Sequence, residues 1–196
     1  MDVIDAAPLI ADASVARRRI TVDEYCRMSE VGILRPDERT ELIDGGLVAV
    51  APANSPHTTV VARLNRFFTR WAGDRVFVIV QSPVRLDDHN MPEPDVTLLR
   101  PKPDDYWSGP AGPGDIMLVV ETADSSLGYD RGVKLPLYAR VGIPEYWIID
   151  VQGLAVEVCR LPVNGQYGSI ERFGTDAALV PACLPDLSLP VASLFG

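Results

Sequence analysis

Hydrophobic positions along the chain switch between two periods, and the switches mark out the elements. Val60, Val61, Leu64, Phe67, Phe68 and Trp71 recur at helical spacing, the strongest such pattern present. Ser55-Pro56 just ahead of them supplies an N-cap and a first-turn proline. Thr21 with Glu24 forms a capping box that predicts a short helix through about Met28. Residues 39–44 and 47–50 flank Asp44-Gly45-Gly46, which predicts two short strands in a hairpin. Further β patterns cover 75–81, 83–86 and 95–99. Residues 115–121 form a near-continuous apolar run ending in a carboxylate, as in a central strand buried on both faces. Residues 130–141 suit a helix, with Pro136 tolerated near its first turn. Residues 145–150, 154–160 and 167–173 return to the β pattern. Between the 95–99 and 115–121 patterns, residues 101–114 hold four Pro and three Gly, predicting a long surface loop and a candidate lid. The apolar stretch 184–194 reads as core or as a dimer contact.

The mixture of helical and strand periods predicts one α/β (α+β) domain. With 196 residues, 47% of them hydrophobic, the chain can bury about 70% of the surface its unfolded form exposes. Residues 1–19 lack firm periodicity and are expected to be a flexible tail before a single domain over 20–196. Disordered, collagenous, coiled-coil and disulfide-framework classes are excluded by the same composition. No apolar run reaches the roughly 18 residues of a membrane-spanning helix. Cys26, Cys159 and Cys183 lack metal or disulfide spacing, and no secretory pattern opens the chain. A soluble, cytoplasmic protein with reduced thiols is therefore expected.

Charge changes the picture. The formal net charge is -9, so the overall field does not attract nucleic acid, and any such contact needs a local basic feature. Arg63, Arg66 and Arg70 share one stripe of the long helix. They are either a solvated flank or a set of phosphate contacts. Only Lys102 and Lys134 are lysines.

Four charged residues sit where charge is costly. Glu41 lies in the first hairpin strand, Asp95 opens a strand after Pro94, Glu121 ends the apolar run, and Lys134 lies on the next helix. Structural roles are open to each: a turn cap for Asp95, an arginine pair for Glu121, an exposed partnership with Arg39 or Arg85 for Glu41, an i,i+4 pair with Asp130 for Lys134. Converging carboxylates would instead repel unless a divalent cation relieved them, and oxygen-only ligands favour Mg²⁺ or Mn²⁺. An ammonium nearby would complete a site for hydrolysing phosphodiesters. His57 in the first helical turn and Gln81 at a strand end are either local structure or contacts to such a site.

These residues lie in recognisable segments. Glu41-Leu42-Ile43-Asp44-Gly45, Pro92-Glu93-Pro94-Asp95-Val96, Val119-Val120-Glu121, Asp130-Arg131-Gly132-Val133-Lys134 and Gly142-Ile143-Pro144-Glu145-Tyr146-Trp147-Ile148-Ile149-Asp150 occur in order. The ordered set resembles the Uma-two family of restriction-endonuclease-like proteins, within the PD-(D/E)XK nuclease superfamily. The resemblance implies a mixed central β-sheet flanked by helices and a Mg²⁺-dependent endonuclease acting on DNA, with Mn²⁺ able to substitute. It implies Asp95 and Glu121 as metal ligands, Glu41 as auxiliary acid and Lys134 as catalytic lysine. The strict signature places lysine two residues after the glutamate, where this chain has Ala123. A homodimer aligning two basic stripes is expected to compensate for the acidic surface. The alternatives are a non-catalytic interaction protein that keeps the fold, and a phosphohydrolase of nucleotides using the same acids.

Overall fold

The computed structural model describes residues 18–35 and 37–196, so nearly all of the expected N-terminal tail lies outside the described residues. Helix α1 (Val22–Glu30) starts at the Thr21 capping box. Strands β1 (Thr40–Ile43) and β2 (Gly46–Ala49) form the hairpin. Asp44 and Gly45 both have positive φ, +48° and +76°, the geometry of a two-residue I′ turn. Gly45 is required twice over, because a Cβ there would also lie 2.5 Å from Arg19 Cβ.

Helix α2 (Ser55–Trp71) is capped one residue earlier than the sequence suggests. Asn54 accepts the His57 N–H, and Ser55 and Pro56 occupy the first turn. There follow β3 (Phe77–Val80), β4 (Val96–Leu99) and β5 (Ile116–Ala123). Residues 83–86 join no sheet ladder; Val84 N–H and Arg85 N–H donate to the Pro92 and Ala111 carbonyls instead. After β5 the chain turns through α3 (Leu127–Tyr129), a π turn (Asp130–Lys134) and α4 (Leu135–Arg140), with Pro136 in the first turn of α4. Strands β6 (Glu145–Asp150), β7 (Ala155–Val163) and β8 (Gln166–Phe173) complete the main sheet, and β9 (Ala178–Leu179), β10 (Leu189–Pro190) and α5 (Ala192–Phe195) close the chain.

The main sheet is mixed and six-stranded, ordered β3-β4-β5-β6-β7-β8, antiparallel throughout except for the parallel β5–β6 pair. A parallel pair needs a crossover, and α3, the π turn and α4 are that crossover. Strand alternation splits the core into two layers. Leu98, Leu118, Val120, Trp147 and Ile149 face Val60, Leu64 and Phe68 of α2, together with Leu184, Leu189 and Leu194. The 184–194 segment thus belongs to the core. Leu99, Val119, Tyr146 and Ile148 face Leu137 and Tyr138 of α4 on the other side. Trp71, expected among the buried face of α2, lies in its last turn more than half exposed, with the Arg70 guanidinium over its ring.

This alternation positions the acids. Val119, Ala123 and Leu99 belong to the α4 layer, and period 2 places Glu121 and Asp95 on that same face. The register that pairs Val96 with Val120 sets Asp95 opposite Glu121 one step further on.

Candidate active site

Six expected residues meet in one cleft of about 290 Å³: Glu41 from β1, His57 from the first turn of α2, Gln81 just past β3, Asp95 just before β4, Glu121 of β5 and Lys134 at the end of the π turn. The cleft lies where β3 and β5 end and β4 begins, capped by the hairpin and by the crossover.

Lys134 is the hub. Its Nζ donates to Glu121 Oε1 at 2.8 Å and to Glu41 Oε1 at 3.0 Å, and all three side chains are at least 93% buried. The Tyr138 hydroxyl donates to the same Glu121 oxygen at 2.8 Å. Glu41 Oε1 also accepts the Glu93 backbone N–H at 2.9 Å. Asp95 is held through its other neighbours: Oδ2 accepts Thr122 N–H at 2.8 Å and faces His57 Nε2 at 3.0 Å, while Gln81 Nε2 lies 3.4 Å from Oδ1. Gln81 reaches this position because its backbone turns at a φ of +46°.

The π turn explains the lysine. Asp130, Lys134 and Tyr138 are spaced four apart, and all are buried against the sheet. The i→i+5 widening of this segment belongs to the class of helix irregularities that recur at functional sites. Ala123 is buried on the same face as Glu121, so Lys134 brings its amine to the layer that a lysine at 123 would have addressed.

Negative charge is in excess. Glu41, Asp95, Glu121 and Asp130 are all buried around one ammonium and one imidazole. Burial, reinforced by Asp95, Asp130 and Glu41, raises the proton affinity of Glu121 well above the usual carboxylate range, and Lys134 offsets this only in part. Burial likewise raises Asp130 against its Ser126 hydrogen bond. Burial disfavours the charge on Lys134, but Glu121 and Glu41 outweigh it and hold the ammonium above its usual range. The hydrogen bond to Asp95 raises His57 against the opposing effect of burial.

This donor set fits a hard divalent cation. Asp95 and Glu121 offer only oxygen, Glu121 Oε2 accepts no hydrogen bond among the described residues, and the surplus charge is what a cation would neutralise. Among the described residues no group of three or more His, Cys, Asp or Glu is placed to hold a metal ion, so a cation here would rest on the two carboxylates alone. Two carboxylates with water filling the remaining positions is the usual arrangement for Mg²⁺. Of the four buried side-chain polar atoms without a partner among the described residues, two belong to side chains of residues that line this cleft from its helices, His57 Nδ1 and Tyr129 OH.

A family profile described as "Putative restriction endonuclease", Uma2, matches residues 22–192. The chain belongs to the Uma2 family. It is 26% identical over 167 residues to an uncharacterised protein of Synechocystis sp., across 82% of this chain and 91% of that one. Its fold matches the crystal structure of a protein titled a putative nuclease belonging to DUF820 from Anabaena variabilis, with a TM-score of 0.70 at 18% identity. That match covers 90% of this chain and 97% of the other. The Uma2 chain thus has a nuclease-like fold.

Some expected contacts lie elsewhere. None of Arg63, Arg66 and Arg70 lines the cleft. Arg63 is committed to the Leu194 carbonyl at 2.9 Å, Arg70 stacks on Trp71, and Arg66 is exposed on the outer side of α2. The 101–114 loop is not a lid over this cleft. It follows the far end of β4, where Tyr106 packs on Phe77 and Lys102 pairs with Asp115 at 2.7 Å. Sequence reading missed Tyr129, Asp130 and Tyr138 as site residues. The 130, 134, 138 spacing was a signal for the latter two; nothing in the pattern marks Tyr129.

Proposed function

We propose that this Uma2 protein is a metal-dependent endonuclease that hydrolyses phosphodiester bonds in DNA. The observation that carries the reading is the convergence of Glu41, Asp95, Glu121 and Lys134 in one cleft that holds more acid than base. Asp95 and Glu121 would hold Mg²⁺, with Mn²⁺ as a substitute. Such an ion supplies Lewis acidity and a water of lowered pKa.

The chain's own groups do the rest. Lys134 is held protonated, which excludes it as a base and suits it to donate toward the attacking water or a phosphoryl oxygen where negative charge develops. Glu41 fixes that ammonium together with Glu121, the part of an auxiliary acid. Tyr138 orients Glu121, and His57, Gln81 and the Thr122 amide hold Asp95. Arg39, at the cleft and paired with Glu93 at 2.7 Å, is the guanidinium placed to meet a flanking phosphate. With a net charge of -9, tight DNA engagement would come from a homodimer that presents two such groups.

The test is supercoiled plasmid DNA with Mg²⁺ or Mn²⁺, comparing the parent with Asp95→Asn. The parent nicks the plasmid, and the variant, shown folded by circular dichroism, is slowed roughly a hundred-fold or more. Equal rates for the two would defeat the proposal.

A further inference from the structure

Six tyrosines occur in the chain, and five of their hydroxyls have a partner. Tyr25 and Tyr106 donate to the Thr40 and Arg100 carbonyls at 2.6 Å, Tyr138 to Glu121 at 2.8 Å, Tyr167 to the Ile143 carbonyl at 2.9 Å, and Tyr146 to the Asp130 carbonyl at 3.5 Å. Tyr129 is the exception. Its hydroxyl is shielded from solvent, has no partner among the described residues, and belongs to a side chain lining the catalytic cleft. A buried hydroxyl left unpaired destabilises the fold, so a group supplied from outside the chain is the expected partner.

We infer that the Tyr129 hydroxyl is a catalytic hydrogen-bond donor to a non-bridging oxygen of the phosphate bound in the cleft, an inference that rests on the phosphodiesterase reading above. Three observations select this ligand. Burial, with Glu41 next, pushes the phenol up to about 12, so it is a donor at neutral pH and not a base. No acceptor of the described residues reaches the phenol, although Glu41, Glu121 and Asp130 stand nearby with one oxygen each bonded elsewhere: Glu41 Oε1 to Lys134 and the Glu93 amide, Glu121 Oε1 to Lys134 and Tyr138, Asp130 Oδ2 to the Ser126 hydroxyl. A water on a cation has one of its two lone pairs committed to the metal and is polarised into a strong donor and a weakened acceptor, so it is a poorer match for another donor than an anionic oxygen is. A phosphate oxygen is an acceptor and carries the charge that Lys134 also favours.

Calorimetric titration with thymidine 3′,5′-bisphosphate in Ca²⁺ tests this without relying on turnover, using the parent and Tyr129→Phe. The expected result is a Kd weakened roughly ten- to a hundred-fold in the variant, with Mn²⁺ affinity unchanged. The melting temperature should not fall, since the lost hydroxyl bonds nothing in the chain. Equal affinity in both proteins, or no binding by the parent at millimolar bisphosphate, would overturn the inference. A parent that binds the bisphosphate through Tyr129 yet never cuts DNA would remove the nuclease reading and leave the phosphate contact standing.

Discussion

Lys134 Nζ lies 2.8 Å from Glu121 Oε1, joining the end of β5 to the crossover helix that follows it. The amine comes from thirteen residues downstream of the acid, while the position two residues after it is the small, buried Ala123. Both groups are buried, so each depends on the other for its charge.

That dependence makes Lys134 a stability residue as well as a candidate catalytic one. Lys134→Ala leaves Glu41 and Glu121 buried without their cation, at a cost of about 3–5 kcal/mol. Urea denaturation should show this loss, and the double variant Lys134→Met/Glu121→Gln should recover part of it. If Lys134→Ala matched the parent in stability, the ammonium would not be the buried hub described above.

Glu145 gives the opposite case, stability without activity. It is fully buried at the start of β6, where Arg160, Trp147 Nε1 and the Ala182 N–H all donate to it. Glu145→Ala should cost about 1–3 kcal/mol by leaving the buried Trp147 Nε1–H and Ala182 N–H without an acceptor and removing the partner of Arg160. It should leave the cleavage rate per folded molecule unchanged, measured below the variant's melting temperature.

Acid should loosen the β7–β8 end first. Burial opposes the charges of Asp150 and Glu157, but Arg172 and Arg131 outweigh it and lower both below the usual carboxylate range. Depressed native values mean that their stabilisation is present above about pH 4–5 and is lost as pH falls through those values. Stability in urea should therefore fall from pH 5 to pH 3. The fall should be shallower in Asp150→Asn/Glu157→Gln; an identical slope would remove these two acids from the explanation.

The hairpin turn links local backbone to the site. Gly45→Ala meets both a left-handed φ and the Arg19 side chain, and about 1–2 kcal/mol is expected from the conformation alone. Because β1 carries Glu41, the variant should also weaken Mn²⁺-supported cleavage. Unchanged stability by urea titration would show that the turn relaxes freely.

How much of this was legible in the sequence depends on range. The Asp44-Gly45 turn, the Thr21–Glu24 box and the Val60–Phe68 stripe are local signals, and they gave elements within a residue or two of those observed. Glu41, Asp95, Glu121 and Lys134 were legible as charges in costly places, and their convergence follows from strand alternation. The arginine stripe left two readings open because helical spacing shows which residues share a face but not what the face meets. Arg63 turns out to be tied to Leu194, 131 residues away. The 101–114 loop was readable as a loop, but not which end of the sheet it serves. Tyr129 carries no periodic signal and becomes visible only through the hydroxyl it leaves unpaired.

The most direct measurement is anomalous diffraction from a crystal soaked in Mn²⁺. A single strong peak between the Asp95 and Glu121 carboxylates, with Lys134 beside it, is the expected result. A peak elsewhere on the molecule, or none at millimolar metal, would contradict the reading of this cleft as a cation site.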